Sequence, residues 1–135
     1  MGWNVLALWN VFKWLRPTPS TSLGAWGEEQ AAGYLRRHGY RILARRFRCP
    51  LGEIDIIAIK ADCVVFIEVK TSQQPQAVIG DRIYKSQQER IVRSSCYFRR
   101  LHPYLPQASR FDVVLVWASP TDDVRIVHQE AAFTI

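Results

Sequence analysis

Two apolar runs four residues apart, EIDIIAI (53–59) and VVFIEVKT (64–71), constrain this chain more than any other feature. Both are rich in β-branched residues and of strand length, and their closeness in sequence predicts an antiparallel hairpin. Each run is broken by charge: Asp55 in the first, Glu68 and Lys70 in the second. With Lys60 to Cys63 as the loop, Ile59 pairs with Val64, and counting back sets Asp55 opposite Glu68 and Glu53 opposite Lys70. Strand side chains alternate with period two, so these four share one face. A loop of two or four residues keeps that parity, whereas an odd loop would split the group across the sheet.

Directly opposed carboxylates sit with Cβ atoms about 4.5–5.5 Å apart and destabilise a sheet unless something neutralises them. In strands this apolar a charge is costly unless paired or bound to an ion. A divalent cation meets the need, because Mg²⁺ takes oxygen from one or two carboxylates and fills its other positions with water and phosphate. The pattern therefore points to Asp55 and Glu68 as ligands of Mg or Mn. Lys70 stands beside them to orient an attacking water or offset transition-state charge. The plainer alternative is an ion pair between Glu68 and Lys70 at a sheet end, or a solvated charged face. The G-E-I-D of the first run, at a compatible register, favours the site. Glu28 reads two ways, as a further carboxylate acting directly or through water, or as an acid favoured by a helix N-terminus. Glu53 lies nearer the mouth and is a partner for Lys70.

Around this hairpin the chain reads as α, β, β, β, α, β, β. A helix over 22–37 is capped by Thr21 or Ser22, with Leu23, Trp26, Ala31, Tyr34 and Leu35 as its buried stripe. Residues 40–48 form a strand with Ile42 and Phe47 inward, and Arg45, Arg46 and Arg48 make one edge basic. A second helix over about 81–101 buries Ile83, Ile91 and Phe98 and is closed by Pro103 and Pro106. FDVVLVW (111–117) reads as a buried strand and VRIVH (124–128) as a short edge strand.

At 135 residues and 48% hydrophobic, the chain supports one α/β domain, expected over 21–135. Before it, MGWNVLALWNVFKWL is apolar on every helical face, too short to span a bilayer and unlike a signal peptide. With the linker prolines Pro17 and Pro19 it makes a leader over 1–20, whose first 16 residues suit contact with a membrane surface or a partner protein. Three cysteines, odd in count, widely spaced and without a C-x-x-C pair, indicate neither a disulfide framework nor a zinc site, and so a reducing, cytoplasmic setting. His38, His102 and His128 lack metal-type spacing and read as surface or cap residues. Lys and Arg number 18 against 12 acids, a net charge of +6, and 14 of the 18 are Arg, whose planar fork matches phosphate oxygens. That balance favours nucleic acid, the alternative being a basic surface that keeps the protein soluble.

Four blocks, G-E-E-Q-A-A-x-Y-L (27–35), G-E-I-D-I-I-A (52–58), V-F-I-E-V-K-T (65–71) and R-F-D-V-V (110–114), closely resemble the bacterial YraN-like family. That family is similar to the PD-(D/E)xK nuclease-like superfamily and, in outline, to archaeal Holliday-junction resolvases. The resemblance implies a restriction-endonuclease-like core, a mixed β-sheet flanked by helices. It implies that Glu28, Asp55, Glu68 and Lys70 occupy the site and that Lys85 and Gln87 face the substrate. The expectation is a Mg- or Mn-dependent endonuclease acting on DNA, branched or damaged DNA included. Phosphate contacts are expected from Arg45, Arg46 and Arg48, and from Arg36, Arg37, Arg90 and Arg93. By analogy, a nuclease this small facing two symmetric strands pairs as a homodimer. The competing expectations are a non-catalytic nucleic-acid-binding module and a docking protein that uses the apolar N-terminus.

Overall fold

The computed structural model describes residues 22–72, 85–118 and 123–134. The leader over 1–20, Thr21, and the expected start of the second helix with Ile83 lie outside the described residues. Among the described residues no helix is long and apolar enough to cross a membrane.

The elements are α1 (Leu23–Arg37), β1 (Arg41–Cys49), β2 (Gly52–Lys60), β3 (Cys63–Ser72), α2 (Lys85–Leu101), β4 (Ala108–Ala118) and β5 (Val124–Phe133). The strands form one sheet in the order β1-β2-β3-β4-β5. All neighbours are antiparallel except β3 and β4, which are parallel and therefore need a crossover, in which α2 takes part. The result is the expected αβββαββ mixed sheet between helices.

Each helix covers one apolar face. Ala31, Ala32 and Leu35 of α1 pack on Ile56, Ala58, Val65, Ile67, Val114 and Val116. Ile91 and Phe98 of α2 pack on Ile57, Val64, Phe66 and Phe111 across the other face. Phe98 meets both Phe47 and Phe66 edge-on, a favoured aromatic geometry. Ser22 caps α1 by accepting the Ala25 N–H at 3.2 Å. The buried stripe begins later than the sequence suggests, because Leu23 is 40% exposed. Its turn overhangs the sheet end and borders a cleft instead of the core.

The β2–β3 loop is two residues, not four: Lys60 pairs with Cys63, and Ala61 and Asp62 adopt φ of 49° and 59°. Left-handed values at both central positions are what a hairpin needs to match strand twist. The parity is unchanged, so Ile59 still pairs with Val64. β5 is also longer than expected, continuing to Phe133 past a register shift near Ala131, φ 49°. The segment Gln129–Ala132 has few β-branched residues and so gives no strand signal of its own.

Gly27 lets α1 approach β3. A Cβ built there would stand 2.8 Å from Thr71 Cβ, closer than real Cβ contacts allow. Gly27→Ala is expected to force the helix off the sheet and cost about 1–3 kcal/mol, as overpacking does. A denaturant titration would check this, and an unchanged midpoint would show that the contact yields freely.

Candidate active site

Asp55 sits where the sheet's regularity fails. The β1–β2 ladder runs Arg45↔Ile56 and Phe47↔Ile54 and skips Arg46 and Asp55 between them. Arg46 has φ 51°, a value side-chain-bearing residues rarely adopt. Alternation breaks at the same point, since Ile54 packs on the α2 side and Ile56 on the α1 side. The β2–β3 ladder ends at Ile56↔Ile67, one pair short of the expected Asp55–Glu68 opposition. Beyond it, Asp55 Oδ2 accepts the Val69 N–H at 2.8 Å, so a side chain takes over from the backbone ladder. The strands part there and a cleft of about 350 Å³ opens.

Glu28, Asp55, Glu68 and Lys70 all line that cleft, together with Arg46 and Glu53. The sequence-predicted quartet is thus brought together by three elements: α1, β2 and β3. Asp55 and Glu68 hydrogen-bond to each other. Burial first, and then the neighbouring Glu68 charge, push the Asp55 carboxyl well above its usual range. Burial likewise raises Glu68, although the hydrogen bond from Asp55 and the Lys70 ammonium pull it back down. Without a cation the pair therefore keeps a proton that free carboxylates would have lost.

The folded protein consequently binds more protons than the unfolded chain between the ordinary carboxylate pKa and the pair's raised one, so stability falls as pH rises through that window. Asp55→Asn should flatten this slope. In the wild type a divalent cation should offset the loss at neutral pH. Melting curves from pH 4 to 8, with and without Mg²⁺, would check both, and a pH-independent wild type would contradict them.

Glu28 is only 6% exposed. Its Oε2 pairs with Arg46 Nε, while Oε1 is buried with no hydrogen-bond partner. Among the described residues no three His, Cys, Asp or Glu side chains stand close enough to hold a metal directly. Two carboxyl ligands plus water is nonetheless the donor set Mg²⁺ favours, and the orphaned Glu28 oxygen is suited to a water at its edge. On donor chemistry Asp55 and Glu68 fit Mg or Mn.

The other expected residues are more dispersed. Glu53 pairs with Arg48 at 3.5 Å and not with Lys70, because β1 brings Arg48 opposite it in the ladder. Arg45 pairs with Glu29 at 2.7 Å. Gln87 lines a smaller recess of about 170 Å³ with Arg90, and this recess shares Glu53 and Glu68 with the cleft. Lys85 is exposed at the start of α2 and lines neither.

At the opposite end of α1 lies a polar cluster that sequence reasoning missed. Asp112, fully buried, accepts from Arg110 Nε and an Arg110 terminal nitrogen (both 2.9 Å), from the Ala131 N–H (3.0 Å), and contacts His128 Nε2 at 2.7 Å. Arg110 also donates to Tyr40 Oη at 2.7 Å. His128 is accordingly not a surface residue, its side chain being 6% exposed. The available signal was a lone Asp inside FDVVLVW, the same clue that exposed Asp55.

The sheet, its crossover and this carboxyl-lined cleft define an α/β domain with a restriction-endonuclease-like core. The chain matches the profile of the Uncharacterised protein family UPF0102 over residues 27–116. It is 39% identical over 122 residues to a UPF0102 protein of Syntrophotalea carbinolica, covering 84% of this chain and 93% of that one. It is 40% identical over 120 residues to one of Parafrankia sp., covering 84% and 98%. A third, from Treponema pallidum, is 40% identical over 121 residues, covering 87% and 96%. The protein belongs to UPF0102, the YraN-like family.

Proposed function

We propose that this protein is a Mg- or Mn-dependent endonuclease that hydrolyses phosphodiester bonds of DNA, branched or damaged DNA included. One observation carries the reading: half-buried carboxyls from adjacent strands, Asp55 and Glu68, line one cleft together with Lys70 and with Glu28, whose free oxygen has no hydrogen-bond partner. An acidic pair held this close and partly out of water costs stability unless it binds a cation, and a structural role does not call for one lining a cleft. Asp55 and Glu68 hold the ion. The bound ion supplies Lewis acidity toward a phosphoryl oxygen and lowers the pKa of water. Lys70 stands next to Glu68 as a compact charge that orients the nucleophile and offsets charge building on the phosphate. Gln87 and Arg90 border the neighbouring recess and face the same strand of substrate. A cytoplasmic setting, in keeping with three free cysteines, and action as a homodimer belong to the same proposal.

The test is cleavage of labelled linear, nicked and four-way DNAs with Mg²⁺ or Mn²⁺. Wild type is expected to cut at least one of them, and Lys70→Ala to cut it roughly 10²–10³-fold more slowly, the scale seen when one preorganised charge stabiliser is lost. DNA binding without metal-dependent cleavage by the wild type would favour a non-catalytic binding module instead.

A further inference from the structure

Arg46 is one of the most unusual residues in the site. It occupies a left-handed backbone position in the ladder gap facing Asp55, and its guanidinium turns toward α1 to pair with Glu28. The pairing uses one Glu28 oxygen and leaves the other buried without a partner. An unpartnered acceptor at 6% exposure is costly, so such an arrangement persists where something else completes it. The cleft lining supplies the context, since Glu28 borders the same space as Asp55 and Glu68.

We infer that Arg46 is a positioning residue, not a phosphate contact: it fixes Glu28 so that the free oxygen accepts a hydrogen bond from a water in the hydration shell of the ion held by Asp55 and Glu68. This rests on the metal reading above. It explains why Glu28 is buried yet does not join a three-residue ligand cluster among the described residues. It also gives the left-handed backbone of Arg46 a role, because from that unpaired position its side chain reaches Glu28 of α1. Residues that support metal ligands from behind typically change affinity by about 10–100-fold when removed.

The experiment is titration of Mn²⁺ into the full chain, read by the electron paramagnetic resonance of free Mn²⁺, for wild type, Arg46→Ala, Glu28→Gln and the double variant. Each single change should weaken Mn²⁺ about 10-fold or more. The double variant should be no weaker than the worse single one, since Arg46 acts only through Glu28. Melting temperatures are measured alongside, and Arg46→Lys, which keeps the charge but loses the planar fork, stands in should Arg46→Ala not fold. Wild-type affinity in either Arg46 variant overturns the inference, as does a double variant whose loss is the product of the two. A wild type that takes up no Mn²⁺ overturns the metal reading itself, and this inference with it.

Discussion

Glu68→Gln should reduce metal-dependent DNA cleavage by roughly 10³-fold or more, because an ion supplies several kcal/mol to a phosphoryl-transfer barrier and each 1.4 kcal/mol is tenfold in rate. The substitution is close to isosteric, so the loss comes without a packing defect. Stability should move the other way. Burial already pushes the Glu68 carboxyl toward its neutral form, and a permanently neutral amide removes that penalty. The variant should therefore melt no lower than wild type without metal, and should lack the stabilisation by Mg²⁺ expected of the wild type. Loss of cleavage together with a lowered melting point would instead mark Glu68 as a structural partner.

Asp112→Ala is expected to be the most destabilising single change, at about 3–5 kcal/mol, the range for removing one member of a buried ion pair. Four hydrogen bonds converge on that carboxylate, and truncation leaves the Ala131 N–H without its acceptor and Arg110 with only Tyr40 and the more distant Glu130. Burial alone would raise the Asp112 pKa, but the hydrogen bonds from His128, Arg110 and Ala131 together hold it below the usual range. A depressed folded pKa contributes stability that is present above the ordinary carboxylate pKa and lost as pH falls through the lowered value. The wild type should thus lose stability toward strong acid through this group, and Asp112→Ala should lack that component. Because the cluster lies at the far end of α1 from Asp55, Mn²⁺ affinity in the folded variant should stay within a few-fold of wild type. Urea titrations at pH 7 and pH 3 would measure both effects.

These two carboxylates show what the sequence makes legible and what it conceals. Charge inside an apolar run marks a buried acid, and strand parity carried Asp55 and Glu68 to one site whether the loop was two residues or four. The helices and strands around them follow from periodicity, and Ile91, Phe98, Ala31 and Leu35 are buried as their spacing predicts. Period-two counting assumes an unbroken ladder, however. The left-handed Arg46 has no signature in YRILARRFR, so neither the end of pairing at Ile56 nor the Arg46–Glu28 contact could be read from it. The three arginines counted as a basic edge prove to be paired individually with Glu29, Glu28 and Glu53, partners set by how α1 and β2 flank β1. Asp112 carried the same clue as Asp55. Its meaning depends on Arg110, His128 and Tyr40, which only the pairing of β4 with β5 and the packing of α1 bring together.

A divalent cation is expected to complete the acidic pair at the parting of β2 and β3. Isothermal titration of Mn²⁺ into wild type and into the Asp55→Asn, Glu68→Gln double variant tests it most directly. Saturable uptake is expected of the wild type and none of the folded double variant; equal uptake by both proteins, or none by either, would contradict a cation site at Asp55 and Glu68.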